Sequence, residues 1–271
     1  MRATPVAVSV KPVIHAIPAL VLFGVLIGVT TVFFGFGGGF VVVPVIYGIA
    51  ADRPDAMHVA VATSTAVMVV NASVATLTSR GSGLIRREYV WPLAGFVAIG
   101  AAVGAWAATL ASESLVHLLF VAYLIVTIVD SLVRKGFLGR STEPRPLGKW
   151  VASGGGIGIG AVASFLGVGG SVMTVPLLRR RGLTMAAATA MANPLSIPIA
   201  VVGTLVYALP HHGSTSGTIG YVDVVAAGVL LAASLPTITI ARRFVRRVPD
   251  RTHAIAYIVL LIVSLIAMVA V

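Results

Sequence analysis

Two glycine clusters are the part of this sequence best suited to bind a ligand. Residues 33–44 read FFGFGGGFVVVP and residues 165–176 read FLGVGGSVMTVP, so Phe, three Gly, Val and Pro recur at the same spacing. Glycine adopts the unusual dihedrals of a tight turn and lets a ligand approach the backbone. Each cluster precedes a short apolar stretch, and the start of a helix favours anions through its free N–H groups and its dipole. The candidate anion-binding residues are Gly37, Gly38, Gly39, Gly169, Gly170 and Ser171.

Close helix packing is the other use of glycine in a membrane, because small residues four apart let two helices approach. Gly24 and Gly28 match Gly156 and Gly160 at that spacing, and packing is the favoured interpretation for these four. The two clusters are denser than packing needs, and each is followed by a proline. This recurrence favours a binding site at the clusters, with the prolines shaping the short arms.

A helix with polar side chains is predicted after each cluster. Its apolar run contains Thr63 and Ser64 in the first half of the chain, and Thr189 and Asn193 in the second. A Ser or Thr in a helix often bonds its own backbone, so each hydroxyl also has a structural interpretation. An amide has four hydrogen-bonding valences and is costly in lipid unless the protein satisfies it. These four residues are second-rank candidates for substrate binding, and Asn71 is a further amide of the same kind.

Other chemistries lack the residues that they need. The chain has no cysteine, which excludes disulfides and thiolate metal sites. Asp130 and Asp223 lie near predicted helix ends, and His58 is expected at the interface in contact with water. The pair His211-His212 has no nearby Cys or carboxylate, which favours a polar outer loop over a metal site. We therefore predict no metal and no cofactor, and the coupling ion stays open between proton and sodium.

The composition is that of a membrane protein. Of the 271 residues, 58% are hydrophobic and 10% are charged, and the mean hydropathy is +1.04, whereas about a quarter of residues in soluble domains are charged. The net charge of +11 comes from short basic clusters between apolar runs. Such clusters are typical of cytoplasmic membrane loops and not of a nucleic-acid-binding face. The first apolar run lacks a small-residue cleavage site, so we expect no removable signal peptide.

Eight apolar runs predict an all-α, polytopic transmembrane fold. About 20 apolar residues cross a hydrocarbon layer of about 30 Å. Two runs, 13–50 and 149–178, are too long for one crossing and contain the glycine clusters. We interpret each as a re-entrant helical hairpin whose returning arm reaches only part of the way through the membrane. The six unbroken runs are 56–79, 89–110, 114–133, 185–209, 222–240 and 253–271.

The repeated clusters divide the chain into two homologous halves, 1–140 and 141–271, each a hairpin plus three transmembrane helices. If each hairpin returns to the side from which it enters, sixteen of the nineteen basic residues share one side, as expected for cytoplasmic loops. Single crossings would divide them ten to nine. The odd number of spans per half inverts the second half relative to the first. Both termini are then expected outside the cytoplasm, at the cost of Arg2 and Lys11 on that side.

The doubled motif resembles the TauE/SafE sulfite exporter family. The resemblance lies in Gly-x-Gly-Gly-Gly or Gly-x-Gly-Gly-Ser before a Val-Pro dipeptide, then in AVATS at 60–64 and AAATA at 186–190, and it covers nearly the whole chain. It implies an inner-membrane permease, usually an exporter, for small sulfur-containing anions such as sulfite, sulfoacetate or related sulfonates. Inverted repeats with broken helices imply alternating access around a midplane site between the breaks. The halves differ at Ser171 and Ala190, so unequal contributions are expected.

Two other classes agree less well with the residues. A membrane enzyme such as a polyprenyl-phosphate phosphatase needs acidic or nucleophilic residues with an Arg at the active depth. No buried Glu and no Ser-Arg pair accompanies the hairpins. A cation channel needs an acidic ring or Met, Cys and His ligands. We therefore predict a transporter and not an enzyme, whose partners are a small anion and the lipid bilayer, with the oligomeric state left open.

Overall fold

The described part of the chain folds almost entirely into helices. The computed structural model describes residues 11–133, 146–209, 218–245 and 247–270, with side chains from residue 17 onward and without that of residue 245. A two-residue β-hairpin, β1 (Thr218–Ile219) and β2 (Val222–Asp223), precedes the ninth helix. The helices are α1 (Lys11–Phe34), α2 (Gly39–Ile49), α3 (Ala56–Ser79), α4 (Arg87–Leu110), α5 (Glu113–Val133), α6 (Gly156–Leu166), α7 (Ser171–Arg180), α8 (Met185–Tyr207), α9 (Val224–Val245) and α10 (Asp250–Ala270).

Seven helices in the described part of the chain are long and apolar enough to cross a membrane: α1, α3, α4, α5, α8, α9 and α10. The prediction of an all-α polytopic membrane protein is confirmed. Helix α9 continues to Val245, beyond its predicted end at Ile240, and the arginines of its last turn complement the negative end of the helix dipole. The predicted boundary between the halves at residue 140, both termini and the pair His211-His212 lie outside the described residues.

Both glycine clusters interrupt the chain between two helices. Gly35, Gly37 and Gly38 have φ angles of +72°, +61° and +95°, and Gly167 and Gly169 have φ angles of +66° and +68°. Any residue with a side chain is strained in this left-handed region, which is why both turns use glycine. The two hairpins differ in size, because α1 has 24 residues whereas α6 has 11 and follows a π-helical turn.

The two short arms turn back toward the regions in which their hairpins begin. Helices α1, α2 and α10 enclose an apolar crevice of about 280 Å³, which Gly48 near the end of α2 and Ala19 of α1 line together. At the end of α7, the guanidinium of Arg181 donates a hydrogen bond to the carbonyl oxygen of Pro146, which precedes α6 (3.0 Å). Both hairpins therefore end beside the region in which they begin.

Helix packing follows the same scheme in the two predicted halves. Helix α1 packs against α9 and α6 against α4, α2 packs against α3 and α7 against α8, and α3 and α8 pack on each other. Glycines form the first two seams. A Cβ on Gly28 would lie 2.6 Å from the carbonyl oxygen of Ser234, and one on Gly160 would lie 2.0 Å from that of Val97. The other two glycines assigned to packing face the same partner helices, so this interpretation agrees with the structure.

One end of the bundle, named here the basic end, gathers arginines from the last turns of helices. Arg180 of α7 pairs with Asp130 at the end of α5 (2.5 Å). Arg242 of α9 donates a hydrogen bond to the carbonyl oxygen of Thr78 at the end of α3 (2.8 Å). Helices α3, α5, α7 and α9 thus finish at the basic end.

Two carboxylates cap the central helices α3 and α8. Glu113 at the start of α5 accepts a hydrogen bond from the backbone N–H of Met57 in the first turn of α3 (2.6 Å). Asp250 at the start of α10 accepts one from the backbone N–H of Met185 at the start of α8 (2.6 Å). Each carboxylate satisfies a free N–H and complements the positive end of a helix dipole. The Glu113 cap lies opposite the basic end, at what we name the acidic end.

Candidate functional site

The two glycine turns lie against each other inside the bundle. We name residues 35–39 the first turn and residues 167–171 the second turn. A Cβ added to Gly39 would lie 2.7 Å from the carbonyl oxygen of Gly167, and one added to Gly169 would lie 3.2 Å from that of Phe36. All residues of both turns are buried. The glycine clusters of the two halves are thus in direct backbone contact.

Ser64 of α3 joins the two turns. Its fully buried hydroxyl lies 2.6 Å from the carbonyl oxygen of Gly167 and 3.1 Å from that of Gly39. A hydroxyl carries one proton, so the shorter distance assigns the main hydrogen bond to Gly167. In the sequence repeat Ala190 of α8 corresponds to Ser64, and it has no polar group for such a bond. The polar link between the turns therefore comes from one half only.

Met68 of α3 separates the central glycines of the two turns. Its Cγ lies 2.5 Å from the position of a Cβ on Gly37, and its sulfur lies 2.6 Å from that of a Cβ on Gly169. The side chain is fully buried. Methionine is flexible and adapts to irregular gaps. Met68 therefore fills the space between the turns, and its flexible side chain can move out of that space.

The nearest neighbours of Gly38 and Gly170, which hold matching places in the two turns, differ in polarity. A Cβ on Gly38 would meet Ile27 and, at 3.2 Å, the amide nitrogen of Asn71. A Cβ on Gly170 would meet Ile159 and Ile199, both apolar. The Asn71 Oδ1 accepts a hydrogen bond from the hydroxyl of Ser234 in α9 (2.9 Å), which fixes the amide with its nitrogen toward the first turn.

Three buried donors near the turns have no hydrogen-bond partner within the described residues. They are the Asn71 Nδ2 beside the first turn and the hydroxyls of Ser171 and Thr174 at the start of α7. An unsatisfied buried donor costs about 1–3 kcal/mol, and native proteins contain few of them. By contrast, the backbone N–H of Gly39 already donates to the carbonyl oxygen of Phe36 (3.2 Å). The Gly39 N–H is therefore occupied, and the three side-chain donors are candidates for binding an anion together with the other backbone N–H groups that the sequence indicated.

The other three predicted site residues, Thr63, Thr189 and Asn193, make structural hydrogen bonds around the turns. Thr63 accepts a hydrogen bond from the backbone N–H of Asp223 (2.9 Å), at the acidic side of α3. The Thr189 hydroxyl bonds its own helix, while its carbonyl oxygen lies 2.4 Å from the position of a Cβ on Gly35. The Asn193 amide donates to the carbonyl oxygen of Thr31 (3.2 Å). These three side chains brace the first turn and α3 without pointing a free donor between the turns.

His58 differs from its sequence-based expectation. It is buried at the acidic end, where one ring nitrogen contacts the Glu113 carboxylate and the other contacts the carbonyl oxygen of Ala108 (2.9 Å). The expectation of a solvated histidine was wrong because the partner, Glu113, is remote in sequence. Tyr221 stacks on the His58 ring. Burial, with the nearby carboxylates Asp55 and Glu113, raises the pKa of the Tyr221 phenol.

Sequence reasoning missed two residues of this site. Met68 gave no signal, because a methionine in an apolar helix is usually core packing. Thr174 lies inside the second repeated motif, where the first half has Val42, so a comparison of the halves position by position would have found it. Asn71 was noted as a costly amide but was not ranked among the site residues.

This arrangement defines a class of protein. Two broken helical hairpins that meet inside a polytopic bundle, with buried polar groups at the breaks, are the architecture of membrane transporters. The chain belongs to the sulfite exporter TauE/SafE family, whose profile matches residues 20–268. The family resemblance carried by the repeated motif is therefore confirmed, and with it the prediction of a transporter and not an enzyme.

A curated relative supports the same class. The chain is similar to a probable membrane transporter protein of Methanocaldococcus jannaschii, with 24% identity over 246 residues, which are 82% of each chain. No solved structure matches the chain at a comparable level of significance. The protein is therefore a multi-pass membrane transporter.

Proposed function

We propose that this transporter is a permease for small sulfur-containing anions, such as sulfite, sulfoacetate and related sulfonates. The observation that carries the proposal is the set of buried unpaired donors, on Asn71 beside the first turn and on Ser171 and Thr174 at the start of α7. An oxyanion accepts hydrogen bonds through several oxygens at once and would satisfy such donors. The sulfur-containing class comes from the family's description as sulfite exporters.

The electrostatics at the turns also favour an anion. Helices α2 and α7 both begin at the turns, so the positive ends of two helix dipoles are directed toward the same place. No Asp or Glu is among the nearest neighbours of Gly37, Gly39, Gly169 or Gly170. Helices α1 and α6 end at the same turns with the negative ends of their dipoles, so the preference for an anion also depends on the unpaired donors and on the lack of a carboxylate among these neighbours. In this proposal the anion is held by neutral donors and dipoles, without a buried arginine.

Alternating access requires that the turns separate and close again. In the proposal the bundle is an inverted repeat, with the site near the midplane and the basic end in the cytoplasm. Support comes from the return of each hairpin to its own starting region and from the matched packing of α1 on α9 and of α6 on α4. With the turns in contact and Met68 between them, the conformation described here corresponds to a closed site.

The proposal is tested by binding and flux with the purified protein. Sulfite, sulfoacetate, methanesulfonate, sulfate and chloride are compared for thermal stabilisation, since a ligand at a hundred times its Kd contributes about 2.7 kcal/mol. The anions that stabilise the protein are then tested for uptake into proteoliposomes. We expect sulfite or a sulfonate to stabilise the protein and to be transported. Transport of a cation, with no stabilisation or uptake by any sulfur-containing anion, would contradict the proposal.

A further inference from the structure

A cavity of about 350 Å³, lined by both polar and apolar residues, opens at the basic end, and no residue of the two glycine turns lines it. It lies between α1, α3, α8 and α9, and the short turn that follows α3 closes one side. Arg242 and Arg243 line its exposed part, and Asn193 lines its buried part. We name this cavity the arginine vestibule.

The two arginines give the vestibule a positive charge that its walls do not neutralise. No Asp or Glu is among its lining residues. Other arginines of the basic end are paired: Arg179 contacts Asp250 (2.8 Å) and Arg180 contacts Asp130 (2.5 Å). Arg242 instead donates to the carbonyl oxygen of Thr78, and among the described residues it has no carboxylate partner. The guanidinium of Arg242 is thus held by Thr78, and among the described residues neither arginine of the vestibule has a carboxylate partner.

The floor of the vestibule is close to the first glycine turn. Asn193 is 2% exposed, and its amide nitrogen donates to the carbonyl oxygen of Thr31, four residues before Gly35. The Asn193 Oδ1 is buried and has no hydrogen-bond partner among the described residues. The start of α8 is already capped by Thr184 and Asp250. The capped start of α8 therefore adds little positive potential to the vestibule, and most of that potential comes from the two arginines.

We infer that the arginine vestibule binds a tetrahedral or pyramidal oxyanion, with Arg242 and Arg243 as donors to its oxygens. Arginine presents several N–H donors in a planar fork that matches oxyanion geometry. A water occupies about 30 Å³ in the liquid, so the volume admits a small anion together with part of its hydration shell. The ligand chemistry is shared by a soluble sulfite or sulfonate and by the phosphate of a lipid headgroup. In an exporter with a cytoplasmic basic end, the vestibule would be the first site that the substrate meets. That role rests on the proposed function, whereas the binding itself does not.

The test measures ligand binding in the vestibule through the reactivity of a single introduced cysteine. The chain has no native cysteine, and Ala186 is a half-buried lining residue, so Ala186→Cys reports on this cavity. Its alkylation by N-ethylmaleimide, an uncharged reagent, is timed at increasing methanesulfonate concentration in purified protein. The methanesulfonate concentration that halves the alkylation rate is then compared between Ala186→Cys alone and Ala186→Cys combined with Arg243→Gln or with Arg247→Gln. Arg247 is the matched control, since it lies at the same end, stacks on Phe244 and does not line the vestibule.

We expect methanesulfonate to protect the cysteine and Arg243→Gln to raise the half-protecting concentration about tenfold, because a hydrogen bond between charged groups is lost. Arg247→Gln should change it less than about twofold, since an exposed charge at a distance is screened. Absence of protection, or equal effects of the two arginine variants, would overturn the proposal. Equal effects would mean that only the general charge of this end attracts the anion.

Two further experiments identify the source of the oxyanion and separate this site from the glycine turns. Protection by phosphatidylglycerol in nanodiscs, in the absence of methanesulfonate, assigns the site to lipid headgroups, whereas protection by methanesulfonate alone in phosphatidylcholine assigns it to the soluble anion. Both results keep the oxyanion site. In Gly39→Ala protein, protection at Ala186→Cys should persist while transport is lost. If protection fails but flux continues, the vestibule is refuted and the proposed function stands.

Discussion

At the scale of single residues, one hydroxyl links the two halves of the bundle. Ser64 contacts a carbonyl oxygen in each glycine turn, although residues 64 and 167 are far apart in sequence. The contact has no counterpart in the second half, where Ala190 follows Thr189 in place of a serine. The unequal contribution of the halves, expected because Ser171 and Ala190 differ from Gly39 and Ser64, stays a prediction. The first half supplies the linking hydroxyl and the Asn71 amide, and the second half supplies the unpaired hydroxyls of Ser171 and Thr174.

Replacement of Ser64 by alanine should weaken the contact between the turns. Ser64→Ala leaves the Gly167 carbonyl oxygen buried without its hydroxyl partner, which should cost about 1–3 kcal/mol. Ser196→Ala is the control, because the Ser196 hydroxyl is equally buried but bonds its own helix at Ala192. Thermal unfolding of both proteins in one detergent measures the difference. An equal or smaller loss in Ser64→Ala would refute the linking role.

The sequence predicted the glycine residues of the turns but only some of their neighbours. Left-handed dihedrals need glycine, so the φ angles at Gly37 and Gly169 follow from residue type and from the repeated spacing. The roles of Thr63 and Asn193 did not follow. Their partners, Asp223 and Thr31, are more than a hundred residues away in sequence, and no local pattern encodes such a hydrogen bond.

At the scale of elements, glycine seams decide which helices touch. Helices α4 and α6 approach so closely that a Cβ on Gly104 would lie 2.0 Å from the carbonyl oxygen of Ala161. The spacing of small residues predicted the seam on α6. It could not name α4 as the partner, because GxxxG-like spacing specifies a close approach and not the helix that makes it.

A single methyl group in this seam should disrupt the fold. Gly104→Ala places a side chain against a backbone carbonyl that cannot rotate away, so a loss of about 1–3 kcal/mol or more is expected. Gly158→Ala is the matched control in α6, because a Cβ there meets nothing within 4 Å. The yield of monodisperse protein and its thermal midpoint measure both variants. Normal folding of Gly104→Ala would show that the two helices separate readily.

At the scale of the whole molecule, the two hairpins are placed in related surroundings. Pro44 and Pro176 each line a crevice, one between α1, α2 and α10 and one between α5, α6 and α7. Helices α10 and α5 hold corresponding places in the two predicted halves. The crevices differ in polarity, since Asp130 and Arg180 border only the second. Each short arm therefore has open space on one side, in which it can shift without displacing a packed helix.

The inverted arrangement is tested by cysteine labelling in intact cells. Gly81 and Gly148 are exposed positions whose added Cβ meets no other atom within 4 Å. Ala51 after α2 and Arg180 at the end of α7 are exposed as well. If the basic end is cytoplasmic and the second hairpin returns to it, cysteines at 81, 148 and 180 react only with a permeant reagent. A cysteine at 51 reacts with an impermeant reagent from outside. Labelling of residue 180 from outside, with residue 148 protected, would contradict the re-entrant topology of the second hairpin.

The central claim is that the anion is held where the two glycine turns meet. Counterflow of labelled sulfite in proteoliposomes tests this claim. Two folded variants are compared, Gly39→Ala and Gly158→Ala, each of which adds one methyl group. A Cβ on Gly39 would lie 2.7 Å from the Gly167 carbonyl oxygen and 3.1 Å from the Ser64 hydroxyl, whereas one on Gly158 meets nothing within 4 Å. We predict that monodisperse Gly39→Ala protein loses at least about tenfold in exchange rate, as expected for a loss of about 1.4 kcal/mol of binding, while Gly158→Ala keeps the wild-type rate. Wild-type exchange by folded Gly39→Ala protein would show that the substrate is held elsewhere.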